Sequence, residues 1–138
     1  MGIPFIQGAF VIIYTDGACS GNPGPMGVGI AIYEGEKLLK KVSRPIGKGT
    51  NNIAEYTAVK LAIEEAKAMG AKGVEIRTDS RLIVHQLRGE FRIKAHHLRV
   101  LKGEIDLLAK DMEVHYVWVG REQNSIADKL SKEAAGSK

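Results

Sequence analysis

Apolar and polar positions recur along the chain in blocks that alternate between a period of two and a helical period. Val11 to Thr15 is a β-branched and aromatic run with strand propensity, and at Asp16 it passes into a loop dense in Gly17, Gly21, Asn22, Pro23, Gly24 and Pro25. A strand ending at Asp16 is therefore predicted, although Asp16-Gly17 alone also reads as a hairpin turn. Val28 to Tyr33 and Lys37 to Ser43 read as second and third strands around Glu34-Gly35-Glu36, an antiparallel meander. From Asn52 to Met69, the residues Val59, Ala62, Ile63, Ala66 and Met69 fall at helical spacing, and Gly70 is a natural stop. Val74, Ile76 and Thr78 alternate along a fourth strand, Val74 to Asp79. A helical pattern runs from Ser80 to Leu87 until Gly89 breaks it. Leu98, Leu101, Ile105 and Leu108 mark an amphipathic helix over Ala95 to Lys110; Val114 to Val119 is the last strand and Asn124 to Ala135 the closing helix.

The order β-β-β-α-β-α-α-β-α argues an α/β fold, a mixed five-stranded sheet with helices on its faces. At 138 residues one domain, 1–138, is expected, with ends that fray over about 1–8 and 136–138. Two strands end alike, in VIIYTD and VEIRTD. If these are parallel neighbours, Asp16 and Asp79 converge where open α/β sheets place their ligand crevice.

Composition narrows the partners. Hydrophobic content of 44% and charged content of 26% fit a soluble globular protein, and no apolar run approaches membrane-spanning length. The single Cys19 fits a reducing compartment, and the first ten residues lack the pattern of a secretory signal, so a cytoplasmic location is expected. The net charge is only +4, but Lys37 to Lys48 holds five basic residues and no acid, and Arg81 to Lys102 holds six against Glu90 alone. Two basic patches suit a polyanion, and a solvated basic face is the alternative.

Four acids fall at element junctions, and each also has an innocent explanation. Asn52-Ile53-Ala54-Glu55 and Ser125-Ile126-Ala127-Asp128 have the spacing of capping boxes, and Asp79-Ser80 could supply an N-cap. Their company favours a site. Clustered carboxylates repel, and some would take up protons at neutral pH unless a divalent cation intervenes. Hard oxygen ligands select Mg²⁺ or Mn²⁺, and a paired-metal site could activate water and neutralise the leaving oxygen of a phosphodiester. His85, His96, His97 and His115 have no zinc-like spacing with Cys19 and read as surface or packing residues.

TDGACSGNPGP, TNNIAEY, TDSRLIVHQL and NSIADKL, in this order, resemble the type 1 ribonuclease H family, in its shorter-loop, archaeal-like subgroup. The resemblance spans roughly Val11 to Ala134. It implies the ribonuclease H-like fold and an endonuclease that cuts the RNA strand of RNA–DNA hybrids with two Mg²⁺ ions, Mn²⁺ substituting, to leave 5′-phosphate and 3′-hydroxyl ends. By motif, Asp16, Glu55, Asp79 and Asp128 resemble the metal-binding catalytic acids. Cys19, Asn22, Asn51 and Asn52 resemble the groups that meet the RNA strand, where Asn side chains can bond 2′-hydroxyls. Thr50, with Lys48 nearby, resembles the pocket for a DNA-strand phosphate.

Three places depart from the pattern. Many members carry a histidine in a Gly-His loop before the final helix; here the segment is Gly120-Arg121-Glu122-Gln123, and Arg121 stands in its place as a candidate catalytic residue that cannot shuttle protons near neutral pH. Arg81 and His85 stand where other members often have amides, as candidate substrate contacts. Arg88 to Arg99 is too short for the Trp-rich basic protrusion of some bacterial members, and Arg92, Lys94 and Arg99 are a smaller substitute. The resemblance implies a hybrid as partner; no membrane, no obligate protein partner and a monomer are expected besides. Two rival readings are a non-catalytic hybrid-binding module and a nuclease of the same fold with another substrate, such as double-stranded RNA.

Overall fold

The computed structural model describes residues 6–136. Strands β1 (Phe10–Cys19), β2 (Gly24–Glu34), β3 (Lys37–Gly49), β4 (Gly73–Thr78) and β5 (Glu113–Trp118) form one sheet in the order β3-β2-β1-β4-β5. The helices are α1 (Asn51–Met69), α2 (Arg81–Leu87), α3 (His96–Ala109) and α4 (Ser125–Ala135), the last preceded by a 3-10 turn, Arg121–Asn124. β1 pairs antiparallel with β2 and parallel with β4, and β4 pairs parallel with β5. The two Thr-Asp strand ends are therefore neighbours.

Successive side chains of a strand point to opposite faces, and the two faces of β1 meet different helices. Val11 and Ile13 are fully buried, as are Val74 and Ile76 of β4 and Tyr56, Ala62, Ile63 and Ala66 of α1. That apolar layer is the core, with α3 packed on the outer side of α1 through Leu98 and Ile105. On the other face α4 lies across β1, β2 and β3. Its approach depends on Gly29, where a Cβ would come within 2.1 Å of the Ala127 carbonyl oxygen. Gly17 does the same for α1: a Cβ there would lie 2.2 Å from the Ala54 carbonyl carbon and 2.3 Å from the Glu55 nitrogen.

One expectation changes. β1 does not stop at Asp16 but runs to Cys19, with Asp16 opposite Gly29 and Gly17 opposite Val28 on β2. Asp16-Gly17 is thus not a turn. What stops nearby is the parallel ladder, whose last pair is Tyr14 with Arg77; β4 then turns away into α2 while β2 goes on satisfying the backbone of β1. At the start of the chain Ile6 N–H donates to Met69 O and Gly8 N–H to Gly70 O, both at 2.9 Å. Of the ends expected to fray, 1–5 and 137–138 lie outside the described residues. Among the described residues no helix is long and apolar enough to cross a membrane.

Candidate active site

None of the three acids near helix starts is the cap residue. Thr50, not Asn52, is the N-cap of α1, its Oγ1 accepting from Ile53 N–H at 3.3 Å, which places Glu55 past the cap on the face toward β1. Ser80 caps α2 by accepting from Ile83 N–H at 3.3 Å and leaves Asp79 free. α4 begins after Asn124, which makes no side-chain cap bond, so Ser125 and Asp128 form no capping box. Asp128 lies within the first turn of α4, where the positive end of the helix favours an anion, and Lys132 Nζ stands 3.1 Å from it.

The elements bring these side chains together. Asp16, Glu55 and Asp79 each offer an oxygen within 4.8 Å of the others'. Asp128 joins them around a cleft of about 290 Å³, whose rim also includes Cys19, Asn51, Arg121 and Lys132. Two hydrogen bonds register α4 against β1 beside the acids. The fully buried Asn124 donates from Nδ2 to Thr15 O at 3.0 Å, and the buried Ser131 hydroxyl donates to Asp16 Oδ2 at 2.7 Å.

Burial and crowding leave their mark on two carboxyls. Burial pushes Asp16 up to about 7; the Ser131 hydroxyl opposes the rise, and the negative charges of Asp79 and Asp128 add to it. Glu55 is pushed up to about 8 by burial first, then by Asp16 and Asp79. An all-oxygen set this crowded must be neutralised by protons or by a hard cation, and it fits a divalent ion such as Mg²⁺ or Mn²⁺.

The other candidates divide into two groups. Asn22, Thr50, Asn51 and Asn52 line a second depression of about 490 Å³ with Ala95, His97 and Leu98, and Asn51 N–H donates to Asn22 Oδ1 at 3.3 Å. Asn51 lines both hollows and joins them. Lys48 is exposed on β3 opposite Pro25, two residues before Thr50. The Cys19 thiol points inward, 3.1 Å from Gly49 O and 3.4 Å from Gly24 O, and ties the end of β1 to its neighbours. Arg81 and His85 line neither hollow. The Arg81 guanidinium lies over the Trp118 ring at 4.1 Å, and His85 stacks on Phe91 with ring centroids 4.5 Å apart.

Residues 14–134 match the family model described as Reverse transcriptase-like. RNase H1 from the halophilic archaeon Halobacterium salinarum superposes with a TM-score of 0.90 at 35% identity, over 93% of this chain and 98% of that one. The chain belongs to the type 1 ribonuclease H family. A solved structure of LC11-RNase H1 in complex with an RNA/DNA hybrid gives a TM-score of 0.86 at 38% identity, covering 91% of this chain and 96% of that one. A bifunctional protein of Mycobacterium tuberculosis is 34% identical over 127 residues, 90% of this chain; the chain spans 35% of that relative's length.

Some residues of this ribonuclease H family site were not singled out from sequence. Lys132 is four residues past Asp128, a spacing that puts both on one face of a helix and could have been read directly. Ser131 lies in a small-residue seam with Ala127 and Ala135, all buried, which reads as packing until its hydroxyl is seen to reach Asp16. His97 reads as a surface residue, yet it borders the hollow of the three asparagines because α3 starts beside the start of α1.

Proposed function

We propose that this chain is an endoribonuclease that hydrolyses the RNA strand of RNA–DNA hybrids and leaves 5′-phosphate and 3′-hydroxyl ends. The observation that carries this reading is the convergence of Asp16, Glu55 and Asp79 oxygens within 4.8 Å, in one cleft with Asp128 and Arg121. Asp16, Glu55, Asp79 and Asp128 would hold two Mg²⁺ ions, with Mn²⁺ as a substitute. When bound, such ions supply a Lewis acid that activates water and neutralises charge on the leaving oxygen.

The protein's own groups do the rest. Gly17 lets α1 lie against β1, which sets Glu55 beside Asp16, and Ser131 holds the Asp16 carboxylate by one charge-assisted bond. The Arg121 guanidinium attracts the scissile or product phosphate without relaying a proton. Asn22, Asn51 and Asn52 offer amides to the 2′-hydroxyls of the RNA strand, which would distinguish it from DNA. Thr50 keeps its hydroxyl proton for a DNA-strand phosphate while its oxygen serves the helix cap, and Lys48 adds charge nearby. The complex of LC11-RNase H1 with a hybrid supports the choice of duplex. The remaining expectations, a monomer in the cytoplasm, form part of the same proposal.

The test is chemical analysis of the cut ends of a hybrid incubated with Mg²⁺. Termini that carry 5′-phosphate and 3′-hydroxyl agree with external water as nucleophile. Cyclic phosphate ends would indicate attack by the RNA's own 2′-hydroxyl and overturn the mechanism.

A further inference from the structure

On the sheet face that carries Asp16, a hollow of about 370 Å³ shares no lining residue with the acid cleft, and the proposed reaction makes no use of it. Tyr14 of β1, Tyr33 of β2 and Arg77 of β4 line it from the sheet, Gln123 and Ile126 from the 3-10 turn and α4, and Glu36 from the turn between β2 and β3. Its parts are held in place by one another. Tyr14 and Tyr33 meet edge to face, with ring centroids 5.6 Å apart and planes at 78°. The Arg77 guanidinium lies 5.3 Å from the Tyr14 centroid; its Nε donates to Glu75 Oε2 at 2.6 Å and its Nη1 to the Tyr14 hydroxyl at 2.7 Å. That fixes the fork and leaves Nη2 without a bond among the described residues. Gln123 Oε1 accepts from Gly120 N–H at 3.2 Å, so its amino group remains to donate. Ile126, in the first turn of α4, is 42% exposed and gives the hollow an apolar lip.

The charges narrow the class of occupant. Arg77 is already balanced by Glu75, and Glu36 adds a carboxylate, so the lining as a whole does not attract an anion. Aromatic and aliphatic walls favour a flat apolar body, and the polar groups around them favour one whose edge carries both acceptors and donors. A nucleobase is neutral, flat and edged in that way, and its face stacks on aromatic rings. Among the bases, guanine uses both charged groups: its O6 and N7 accept from an arginine fork, and its N1–H and amino group donate to a carboxylate. We infer that this hollow is a seat for guanine, packed in the corner of Tyr14 and Tyr33, with Arg77 donating to O6 and N7 and Glu36 accepting from the opposite edge. A free guanosine and an unpaired guanine of a nucleic-acid strand offer the same chemistry. The inference goes beyond the hybrid-cleaving reading and does not depend on it. Arg77 suits the task because Glu75 and Tyr14 have already restricted its rotamers, so less freedom is lost on binding.

Equilibrium dialysis of labelled guanosine against the full chain in EDTA tests this, because a nucleoside has no phosphate to be drawn to the basic segments or to a metal. Wild type should bind guanosine with a Kd on the order of 0.1 mM. Adenosine and cytidine should bind at least about tenfold more weakly. Tyr33→Leu should raise the guanosine Kd by about tenfold through lost stacking. Glu36→Gln, in an exposed turn, should bring guanosine close to the level of adenosine. Arg77→Lys keeps the charge without the fork and should weaken guanosine more than adenosine. Unchanged circular dichroism and melting in each variant separates lost binding from lost folding. A single-stranded oligonucleotide ending in guanosine should displace the label if the seat accepts the base of a strand, and one ending in adenosine should not; a seat for the free nucleoside is displaced by neither. Wild type that binds guanosine no better than adenosine would overturn the seat. So would equal guanosine affinity in wild type, Tyr33→Leu and Glu36→Gln. Cleavage of a hybrid plays no part in these titrations, so the catalytic reading and the seat fail separately.

Discussion

Ser131 and Asp16, 115 residues apart in sequence, meet through a buried 2.7 Å hydrogen bond between α4 and β1. The donor favours the charged form of Asp16 against the burial that opposes it. Ser131→Ala should therefore leave Asp16 harder to ionise and weaken Mg²⁺ or Mn²⁺ binding near pH 7 by about tenfold, the scale of one bond to a charged group. Raising the pH to 9 should recover most of that affinity. Calorimetric titration of the metal at both values checks it.

The raised carboxyls also set how the metal-free protein responds to pH. Asp16, at about 7, and Glu55, at about 8, hold protons in the folded state that the unfolded chain has released above about pH 4. The folded form then binds more protons, so stability falls as pH rises from about 4 through 8. In EDTA the melting temperature should drop over that window, Mg²⁺ should flatten the drop, and Glu55→Gln should raise the metal-free melting temperature at pH 8. A metal-free melting temperature that climbs between pH 5 and 8 would contradict the assignment.

Arg121 shares the cleft with the four acids and brings a guanidinium to it. Arg121→Ala should lower kcat by roughly tenfold to a hundredfold, the size of about one or two charge-assisted contacts, with the metal requirement unchanged. Arg121→Lys should recover part of the loss. Equal single-turnover rates for wild type and Arg121→Ala would make the loop a connector only.

Recognition should divide between two sets of residues. Replacing Asn22 and Asn52 together with Ala should reduce discrimination for ribose more than overall affinity, because phosphate contacts survive. Lys48→Ala should weaken binding of every duplex and reduce the salt slope by about 1. Binding isotherms for hybrid and DNA duplexes at several salt concentrations distinguish the two. Indistinguishable effects would contradict the division.

Much of this arrangement was legible because it rests on periodicity and junction chemistry. Val74, Ile76 and Thr78 alternate into the core, and Val59, Ala62, Ile63, Ala66 and Met69 trace the buried face of α1. The parallel pairing that juxtaposes the two Thr-Asp ends follows from strand runs separated by a helix. What was not legible depends on close approach between distant segments. The turn reading of Asp16-Gly17 fails because Gly17 is needed for the contact with α1, not for a turn, and dipeptide chemistry cannot distinguish the two. The capping boxes fail for a similar reason: Thr50 takes the cap of α1 two residues ahead of Asn52, and spacing alone permits either. The stacking of Arg81 on Trp118 needs the ends of β4 and β5 to be adjacent, which no local pattern encodes.

The most direct measurement is cleavage of a hybrid labelled on its RNA strand by wild type and by Asp16→Asn, each with Mg²⁺ and with excess EDTA, alongside their circular dichroism. Wild type should cut only with Mg²⁺, and folded Asp16→Asn should lose at least about a thousandfold in rate, on the order of 4 kcal/mol of transition-state stabilisation. Undiminished cutting in EDTA, or near wild-type turnover by folded Asp16→Asn, would contradict a metal-dependent centre built on Asp16.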